Sequence, residues 1–461
     1  MNSSYTVNDL LSEFDNIVNG NTTSYTFTEL FSLNFTKYNP AKIASLQSSL
    51  QQYDNRQLTT TLETNRTMKQ INWPAFEVFM LKYLICVRDF DPWSLLASID
   101  LFIAVFESES LLFNPKSSLH ERICVQLLPL YEETMFLVIP LCQLVDVEGM
   151  KIHNRTNDYP RLTHISSILL KSLNYLRGTP DLNSEQHLNK IDLLMEISIK
   201  LCYVYYKIGS PVLCSNVFSN INILSLNRRF IKKSKLVRYR FIMGKYYAHQ
   251  SNFYIAFNHL EACYMMVNDK CPTAFIIQIL KYLIPIGLIN GRVANIDQIR
   301  RRFNGELLNF LLDTYEILIV HYKAGYLYGV YKCISNNENL WKSLGLWIPM
   351  IQRLRIPIFR NLLVQVSKIT QLSFDIIHAA VVRSLEGMNQ LTTAYHIIDS
   401  GVVTRDFIHN LLVSLGYNGY LKIKFVGLDN FVLSKNDAFP DMHRIISGRF
   451  TTNPKEAWLD R

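Results

Sequence analysis

The sequence has no closely spaced cysteines, although it contains eight of them. There is no CxxC pair, and no group of Cys and His has the spacing of zinc ligands. Most of the cysteines, such as Cys124 and Cys202, lie inside apolar helical patterns. This placement predicts buried, reduced thiols in a reducing compartment. We therefore expect no metal site.

The sequence also has no long hydrophobic run. Residues 135–144 fall well short of the roughly 18 apolar residues that would suggest a membrane span. Residues 275–289 are interrupted by Lys281 and Pro285. Residues 1–10 have neither the basic nor the apolar region of a secretory signal. These observations predict a soluble protein.

Catalytic motifs are missing as well. The sequence has no glycine-rich phosphate-binding loop, no HExxH zinc motif and no GxSxG nucleophile turn. Acidic pairs such as Glu132 and Glu133 are typical of a helix surface. We expect no catalytic residue and no cofactor, and hence a protein that is not an enzyme.

The sequence is rich in helical periodicity. From Ile71 onward, apolar residues recur at 3.6-residue spacing almost throughout, and Pro or Gly residues separate the runs. Short connections between consecutive amphipathic helices predict helix pairs stacked in sequence. The first 70 residues are rich in Ser, Thr, Asn and Gln and are interpreted as a polar leader that is at most partly ordered.

One segment has a more specific pattern. Gly244, Tyr247, Ala256, Leu260 and Cys263 match the Gly, Tyr, small, large and small positions of a tetratricopeptide (TPR) helix pair. Gly244 and Ala256 would let the two helices approach closely, while Tyr247 and Leu260 would fill the groove between them. Together with the neighbouring helix pairs, this match favours an α-solenoid over a closed bundle.

The last hundred residues predict a helix–helix–hairpin unit. Residues 372–382 and 404–415 have the pattern of two helices, the second ending at Gly416. Residues 420–426 and 430–435 alternate apolar and polar on either side of a Gly/Asp turn, which indicates a β-hairpin. Helices leading into a terminal hairpin predict a winged helix, a relative of the helix-turn-helix that binds partners or nucleic acid.

Basic residues in this unit are candidates for phosphate contacts. Lys422 and Lys424 are two apart on one strand, so both side chains are expected on the same face of the hairpin. Lys435 ends the partner strand, and Arg405 and His409 are four apart on the preceding helix. We predict that these five residues bind nucleic acid. A polar outer face on a half-buried hairpin is the alternative.

Two further groups are predicted to bind protein partners. The densest basic stretch, residues 228–240, fits a solvated helix face, a nuclear-import signal or a docking stripe for an acidic partner, and the net charge of +9 favours acidic partners in general. The predicted acidic-partner residues are Arg228, Arg229, Lys232, Lys233, Lys235 and Arg238. An apolar cluster larger than isolated surface hydrophobic residues require is expected to be exposed as a scaffold interface: Trp341, Leu344, Leu346 and Trp347.

Several segments resemble the PCI family, in which helical repeats run into a winged helix. Residues 322–330 resemble the family's helix–Gly–helix step, and residues 359–363 and 415–423 resemble the beginning and the wing of its winged helix. A closer resemblance is to the PCI subunit of fungal TREX-2, a nuclear-pore-associated complex that couples transcription to mRNA export. It rests on residues 88–94, 164–169, 210–218 and 281–289.

This resemblance implies a non-enzymatic adaptor in the nucleus, associated with the nuclear pore. Such subunits pair through their winged helix with a second PCI-type scaffold and hold a small acidic Sem/DSS-type protein on the helical stack. The two winged helices then offer a basic surface to RNA or DNA. Signalosome-associated PCI proteins share the pattern of residues 432–440, so a purely structural subunit of a signalosome-like assembly is the alternative.

The predicted fold is therefore mainly α, an α-solenoid of TPR-like helix pairs ending in a C-terminal winged helix. The expected segments are a polar leader (1–70), N-terminal helical repeats (71–225), the TPR-like helical part of the PCI domain (226–355), the winged helix (356–440) and a C-terminal tail (441–461).

Overall fold

The chain is mainly helical, as a computed structural model shows. The residues that it describes are 5–19, 26–38, 40–114, 121–154, 156, 158–179, 182–392, 395, 403–427 and 430–460. They contain 23 α-helices and one two-stranded sheet. The prediction of a mainly α fold is confirmed.

The described residues of 1–239 and 455–461 form one compact unit. Helices that are neighbours in sequence pack against each other in it, as expected for stacked helix pairs. The helices are α1 (Val7–Val18), α2 (Phe27–Phe31), α3 (Pro40–Leu50), α4 (Asn55–Thr64), α5 (Arg66–Ile71), α6 (Pro74–Asp89), α7 (Leu95–Leu111), α8 (Glu121–His153), α9 (Pro160–Arg177), α10 (Leu188–Lys207), α11 (Cys214–Leu224) and the first part of α12 (Lys233–His249).

The described residues of 240–454 form the second compact unit. Its elements are the rest of α12, α13 (Phe253–Met266), α14 (Thr273–Ile289), α15 (Ile296–Arg302), α16 (Glu306–Ala324), α17 (Leu327–Asn336), α18 (Glu338–Leu344), α19 (Trp347–Arg353), α20 (Arg355–Ser367), α21 (Phe374–Leu385), α22 (Arg405–Tyr417), β1 (Ile423–Val426), β2 (Asn430–Leu433) and α23 (Met442–Arg449).

The polar leader is more ordered than its composition suggests. Phe14 of α1 is fully buried and stacks on Phe76 of α6, with ring centroids 5.2 Å apart. The polar residues serve local structure, because Thr6 and Thr26 accept hydrogen bonds from backbone N–H groups in the first turns of α1 and α2. A Ser/Thr-rich composition therefore conceals short, capped helices with a few buried aromatic side chains.

The close approach predicted in the TPR-like segment is present. A Cβ atom added at Gly244 would lie 2.6 Å from Cγ of Leu260, so α12 and α13 touch at this point and no larger residue fits without movement. Ala256 and Leu260 are fully buried, and Tyr247 stacks on His259. The predicted roles of these small and large residues are confirmed.

Residues 441–460 are ordered. Helix α23 belongs to the second unit, and a 3₁₀ helix, Pro454–Leu459, follows it. Trp458 is 4% exposed and packs within the first unit, where its indole Nε1 donates to Oδ1 of Asn222 at 2.9 Å. Its ring lies 6.1 Å from that of Tyr239. The chain therefore returns to its first unit at the end.

Neither a membrane-spanning helix nor a metal-binding cluster is present among the described residues. In the parts of the chain that the structure describes, no helix is both long and apolar enough to cross a membrane. The same residues include no group of three His, Cys, Asp or Glu side chains that could hold a metal ion. Of the eight cysteines, six are buried and two, Cys271 and Cys333, are half-buried, and all are free thiols.

One buried carboxyl predicts an unusual pH dependence of stability. Glu109 of α7 is 1% exposed; its Oε1 accepts a hydrogen bond from Thr134 at 3.0 Å, and its Oε2 has no partner among the described residues. Burial raises the pKa of Glu109 well above its ordinary value of 4.5. Between these two pKa values the folded chain binds a proton that the unfolded chain has lost, so the free energy of unfolding falls as the pH rises.

Replacing Glu109 with glutamine is therefore expected to stabilise the protein at neutral pH. The amide keeps the acceptor for Thr134 and cannot ionise. The difference in free energy of unfolding between the variant and the native protein should be small near pH 4.5 and grow toward pH 8, as measured by urea denaturation. Glu107→Gln, on the more exposed part of the same helix, should retain the native pH dependence. A constant difference between Glu109→Gln and the native protein across this range would contradict the assignment.

Candidate nucleic-acid interface

The region predicted to be a C-terminal winged helix begins with three helices. They pack in sequence, α20 against α21 and α21 against α22. The hydroxyl of Ser373 accepts from the backbone N–H of Ile376 at the start of α21, and that of Thr404 accepts from Phe407 at the start of α22. Helix α22 continues to Tyr417, so Gly416 does not end it as predicted. The helical order expected from the sequence is otherwise present.

The two strands form the predicted antiparallel hairpin, although residues 428 and 429 of its turn lie outside the described part of the chain. Lys424 is paired with Val432, and Phe425 with Phe431. Side chains alternate between half-buried and exposed along both strands. The exposed face carries Lys424 together with Val426 and Val432, which are 53% and 58% exposed, so it is less polar than expected.

Aromatic side chains join the hairpin to the helices. Phe374 of α21 meets the ring of Phe431 edge-on at 5.2 Å, and His409 of α22 lies 4.6 Å from the ring of Phe425. His409 also stacks on Phe374, with an interplanar angle of 8°. The imidazole is thus part of the packing between helix and hairpin. This packing gives His409 a structural role, and its contact with nucleic acid stays a prediction.

The other predicted nucleic-acid-binding cations differ in how accessible they are to a ligand. Lys424 and Lys435 are exposed and form no ion pair with a described residue. Lys422 lies 3.2 Å from Oδ2 of Asp437, a pair in which both side chains are at least half exposed and which contributes little to stability. The guanidinium of Arg405 lies over the ring of Phe374 at 5.3 Å. Lys424 and Lys435 are therefore the best placed to meet phosphates.

Arg360 holds the end of the hairpin segment in place, a role that the sequence did not reveal. Its Nη2 donates to the carbonyl oxygens of Phe439 and Pro440 at 2.9 and 2.8 Å. The backbone N–H of Lys422 donates to the carbonyl of Ala438 at 2.8 Å. Because the acceptors of Arg360 are backbone atoms about 80 positions away, no side-chain pattern could have identified them.

Charge is unevenly distributed between the two units. Residues 240–454 contain 22 Lys and Arg against 14 Asp and Glu, which gives this part of the chain a net formal charge of +8 out of the total of +9. The rest of the chain is almost neutral. A positive field around the second unit attracts polyanions at long range, and this attraction weakens with salt.

The basic stretch of the first unit is largely engaged within the protein. Lys235 is 4% exposed, and its Nζ lies 2.8 Å from Glu132, 2.9 Å from Asp192 and 3.6 Å from Glu196. Arg238 forms two hydrogen bonds with the carboxylate of Glu196.

Lys232 extends this network with a 2.8 Å contact to Asp192. The predicted docking of an acidic partner is therefore corrected for the buried Lys235; Arg238 and Lys232 also bind carboxylates of this chain, but their side chains are 34% and 69% exposed, and their docking role stays a prediction. Arg228 is half-buried, whereas Arg229 and Lys233 are exposed and form no ion pair with a described residue. Only part of the predicted stripe is available to a partner.

The apolar cluster predicted to be exposed is buried. Trp341, Leu344 and Leu346 are 1%, 6% and 1% exposed. Trp341 packs against Tyr315 of α16, with ring centroids 5.8 Å apart. Trp347 is half-buried, and its Nε1 donates to the hydroxyl of Tyr395 at 3.0 Å. The prediction of an exposed interface is wrong, because this cluster packs into its own unit.

Comparison with known proteins gives one informative similarity. No protein-family model matches the chain. The chain is similar to the nuclear mRNA export protein THP1 of Saccharomyces cerevisiae, with 28% identity over 432 residues, covering 90% of this chain and 92% of that protein. The similarity extends through both units. It supports the resemblance inferred from the sequence to the extent that this relative is a nuclear mRNA export protein.

Proposed function

We propose that the chain acts in nuclear mRNA export as a non-enzymatic adaptor subunit. The similarity to a nuclear mRNA export protein over nine-tenths of the chain supports this role and a nuclear location. The finer proposal is a subunit associated with the nuclear pore that links transcription to export. A stack of helices ending in a small mixed unit suits an adaptor, because it offers separate surfaces to several partners.

The proposed ligand of the second unit is RNA or DNA. The observation that carries this proposal is the net charge of +8 on residues 240–454, combined with the exposed Lys424 and Lys435 on and beside the hairpin. Lysines neutralise phosphates and release counterions, which gives affinity without sequence preference. Lys422 and Arg405 lie in the same unit and are proposed as secondary contacts.

The proposed protein partners are a second PCI-type scaffold and a small acidic Sem/DSS-type protein. For the acidic protein, Arg229 and Lys233 are the exposed cations left in the basic stretch. For the scaffold, the terminal unit offers Tyr417 and Val413, which are one turn apart on α22 and 85% and 43% exposed. Co-purification from nuclear extract tests these partners and separates the proposal from the alternative of a purely structural subunit of a signalosome-like assembly.

Reversing the two hairpin lysines tests nucleic-acid binding. The full chain carrying Lys424→Glu and Lys435→Glu is compared with the native chain by fluorescence anisotropy, using labelled single-stranded RNA and duplex DNA at several salt concentrations. We expect weaker binding to both and a salt dependence whose log–log slope falls by about one per lost phosphate contact. Folding should be unaffected because both side chains are exposed.

A charge-matched control separates a local contact from net charge. Lys270→Glu with Lys368→Glu changes the same number of exposed charges elsewhere in the second unit. This control should lose less affinity than the hairpin variant. Equal losses in the two variants would contradict the hairpin assignment. If the native chain bound neither nucleic acid, the nucleic-acid proposal itself would be wrong.

A further inference from the structure

Helix α16 presents large apolar side chains to solvent. Leu307, Phe310, Ile317 and Val320 are 76%, 73%, 54% and 58% exposed. At 100° per residue, the four lie within an arc of about 140°, and at 1.5 Å per residue they extend over roughly 20 Å. We call these four residues the α16 stripe. Isolated surface hydrophobic residues need no explanation, but four in one row form a patch.

The opposite face of α16 is already occupied. Tyr315 and Tyr322 are buried, and their hydroxyls donate to the carbonyl oxygens of Lys281 and Leu288 of α14 at 3.1 and 3.0 Å. The helix therefore carries large apolar side chains on its solvent face as well as on its core face, and the exposed ones are accessible to a partner. The α16 stripe consequently resembles one half of a helix–helix contact.

One edge of the α16 stripe, the side on which Val320 lies, is acidic. At 100° per residue, Glu306 and Asp313 fall between Val320 and Ile317, and Glu316 falls beyond Val320; all three are partly or largely exposed. Arg300 of α15 binds the carboxylates of both Asp313 and Glu316, the latter at 2.9 Å. Glu306 forms no ion pair with a described residue. Three carboxylates against one guanidinium make this edge negative, within a unit whose net charge is +8.

We propose that the α16 stripe is the docking surface for an amphipathic helix of another protein, with an apolar face and Lys or Arg along one edge. The apolar face would cover Phe310 and Ile317, and the basic edge would meet Glu306 and Asp313. A helix of about four to five turns matches the length of the stripe. Complementary charge fixes the orientation of the bound helix and disfavours other partners.

The same edge argues against other occupants. In an antiparallel pair of two copies of this chain, the two acidic edges would lie side by side, and like charges across an interface oppose association. Nucleic acid would meet carboxylates rather than lysines. The α16 stripe shares no residue with the proposed nucleic-acid contacts, so the two proposals stand or fall separately.

Two designed peptides test the proposal with the full chain. Each has about 18 residues and leucines on one helical face; the first carries Lys on the flanking positions and the second carries Glu there. Fluorescence anisotropy is expected to show binding of the Lys peptide and much weaker binding of the Glu peptide. The double variant Phe310→Ser/Ile317→Ser should weaken binding of the Lys peptide by roughly tenfold or more, because central apolar contacts dominate small interfaces.

Matched variants control for nonspecific binding to exposed apolar side chains and for the effect of charge. Ile223→Ser with Met265→Ser removes two apolar side chains that are 74% and 66% exposed elsewhere, and should leave peptide binding unchanged. Glu306→Lys should weaken binding of the Lys peptide and strengthen that of the Glu peptide. Circular dichroism melting checks that the variants fold.

Three results would overturn the proposal. The first is equal binding of the Lys and Glu peptides. The second is Lys-peptide binding that survives Phe310→Ser/Ile317→Ser in a folded variant. The third is a chain that binds neither peptide but sediments as a dimer that this variant dissociates, since a second copy would then cover the stripe.

Discussion

Replacing Lys235 with alanine is expected to lower the free energy of unfolding by about 3 to 5 kcal/mol. Its ammonium group is buried among the carboxylates of Glu132, Asp192 and Glu196, and the last two are themselves almost or fully inaccessible. Removing the cation leaves negative charges in a place where water cannot solvate them. Urea denaturation followed by circular dichroism should show a lower midpoint with little change in slope.

Two further variants test whether the loss of stability comes from the buried charge of Lys235. Lys233→Ala removes the same side chain two positions earlier, where it is exposed, and should change the stability by no more than about 0.5 kcal/mol. Lys235→Met keeps much of the packing volume and should still destabilise, because the buried carboxylates lose the cation that all three of them contact. If Lys235→Ala were as stable as Lys233→Ala, the buried network would not exist in solution.

Trp458→Ala is expected to cost about 3 to 5 kcal/mol of stability, the range found when large aromatic side chains are removed from a core. The indole is 4% exposed and packs near Tyr239, and its N–H donates to Asn222. The substitution therefore leaves both a cavity and an unpaired amide oxygen. Thermal unfolding should show a lower midpoint for the variant.

The chain supplies its own control for this tryptophan. Trp93 is 94% exposed, so Trp93→Ala makes the same chemical change without opening a cavity and should alter stability by no more than about 0.5 kcal/mol. Equal effects of the two substitutions would contradict the packing of residues 455–460 into the first unit.

The features that the sequence predicted well depend on neighbours in the chain. Helical periodicity locates most helices after Ile71, since each helix is defined by spacing of three and four residues. Gly244 marks a contact with a helix only a few residues further on. The alternation around β1 and β2 predicts the hairpin for the same reason.

The structural features that the sequence did not predict depend on residues that are far apart in the chain. The carboxylates that bind Lys235 are 39 to 103 positions away, and nothing in a run of lysines shows whether such partners exist. Trp341 belongs to a segment whose apolar pattern is the same whether α16 covers it or solvent does. The sequence pattern around His409 does not show that its ring packs against those of Phe374 and Phe425.

The packing of Trp458 into the first unit determines when that unit can be completed during protein synthesis. Residues 240–454 must be translated after Tyr239 and before the segment that completes the packing around Asn222. At about 5 to 20 residues per second, this interval lasts roughly 10 to 40 s. During that time the nascent N-terminal half exists with an open apolar site, while the cationic half is still emerging from the ribosome. The packing of Trp458 is therefore a late event in synthesis, and its timing is set by the order of translation rather than by the local folding rate.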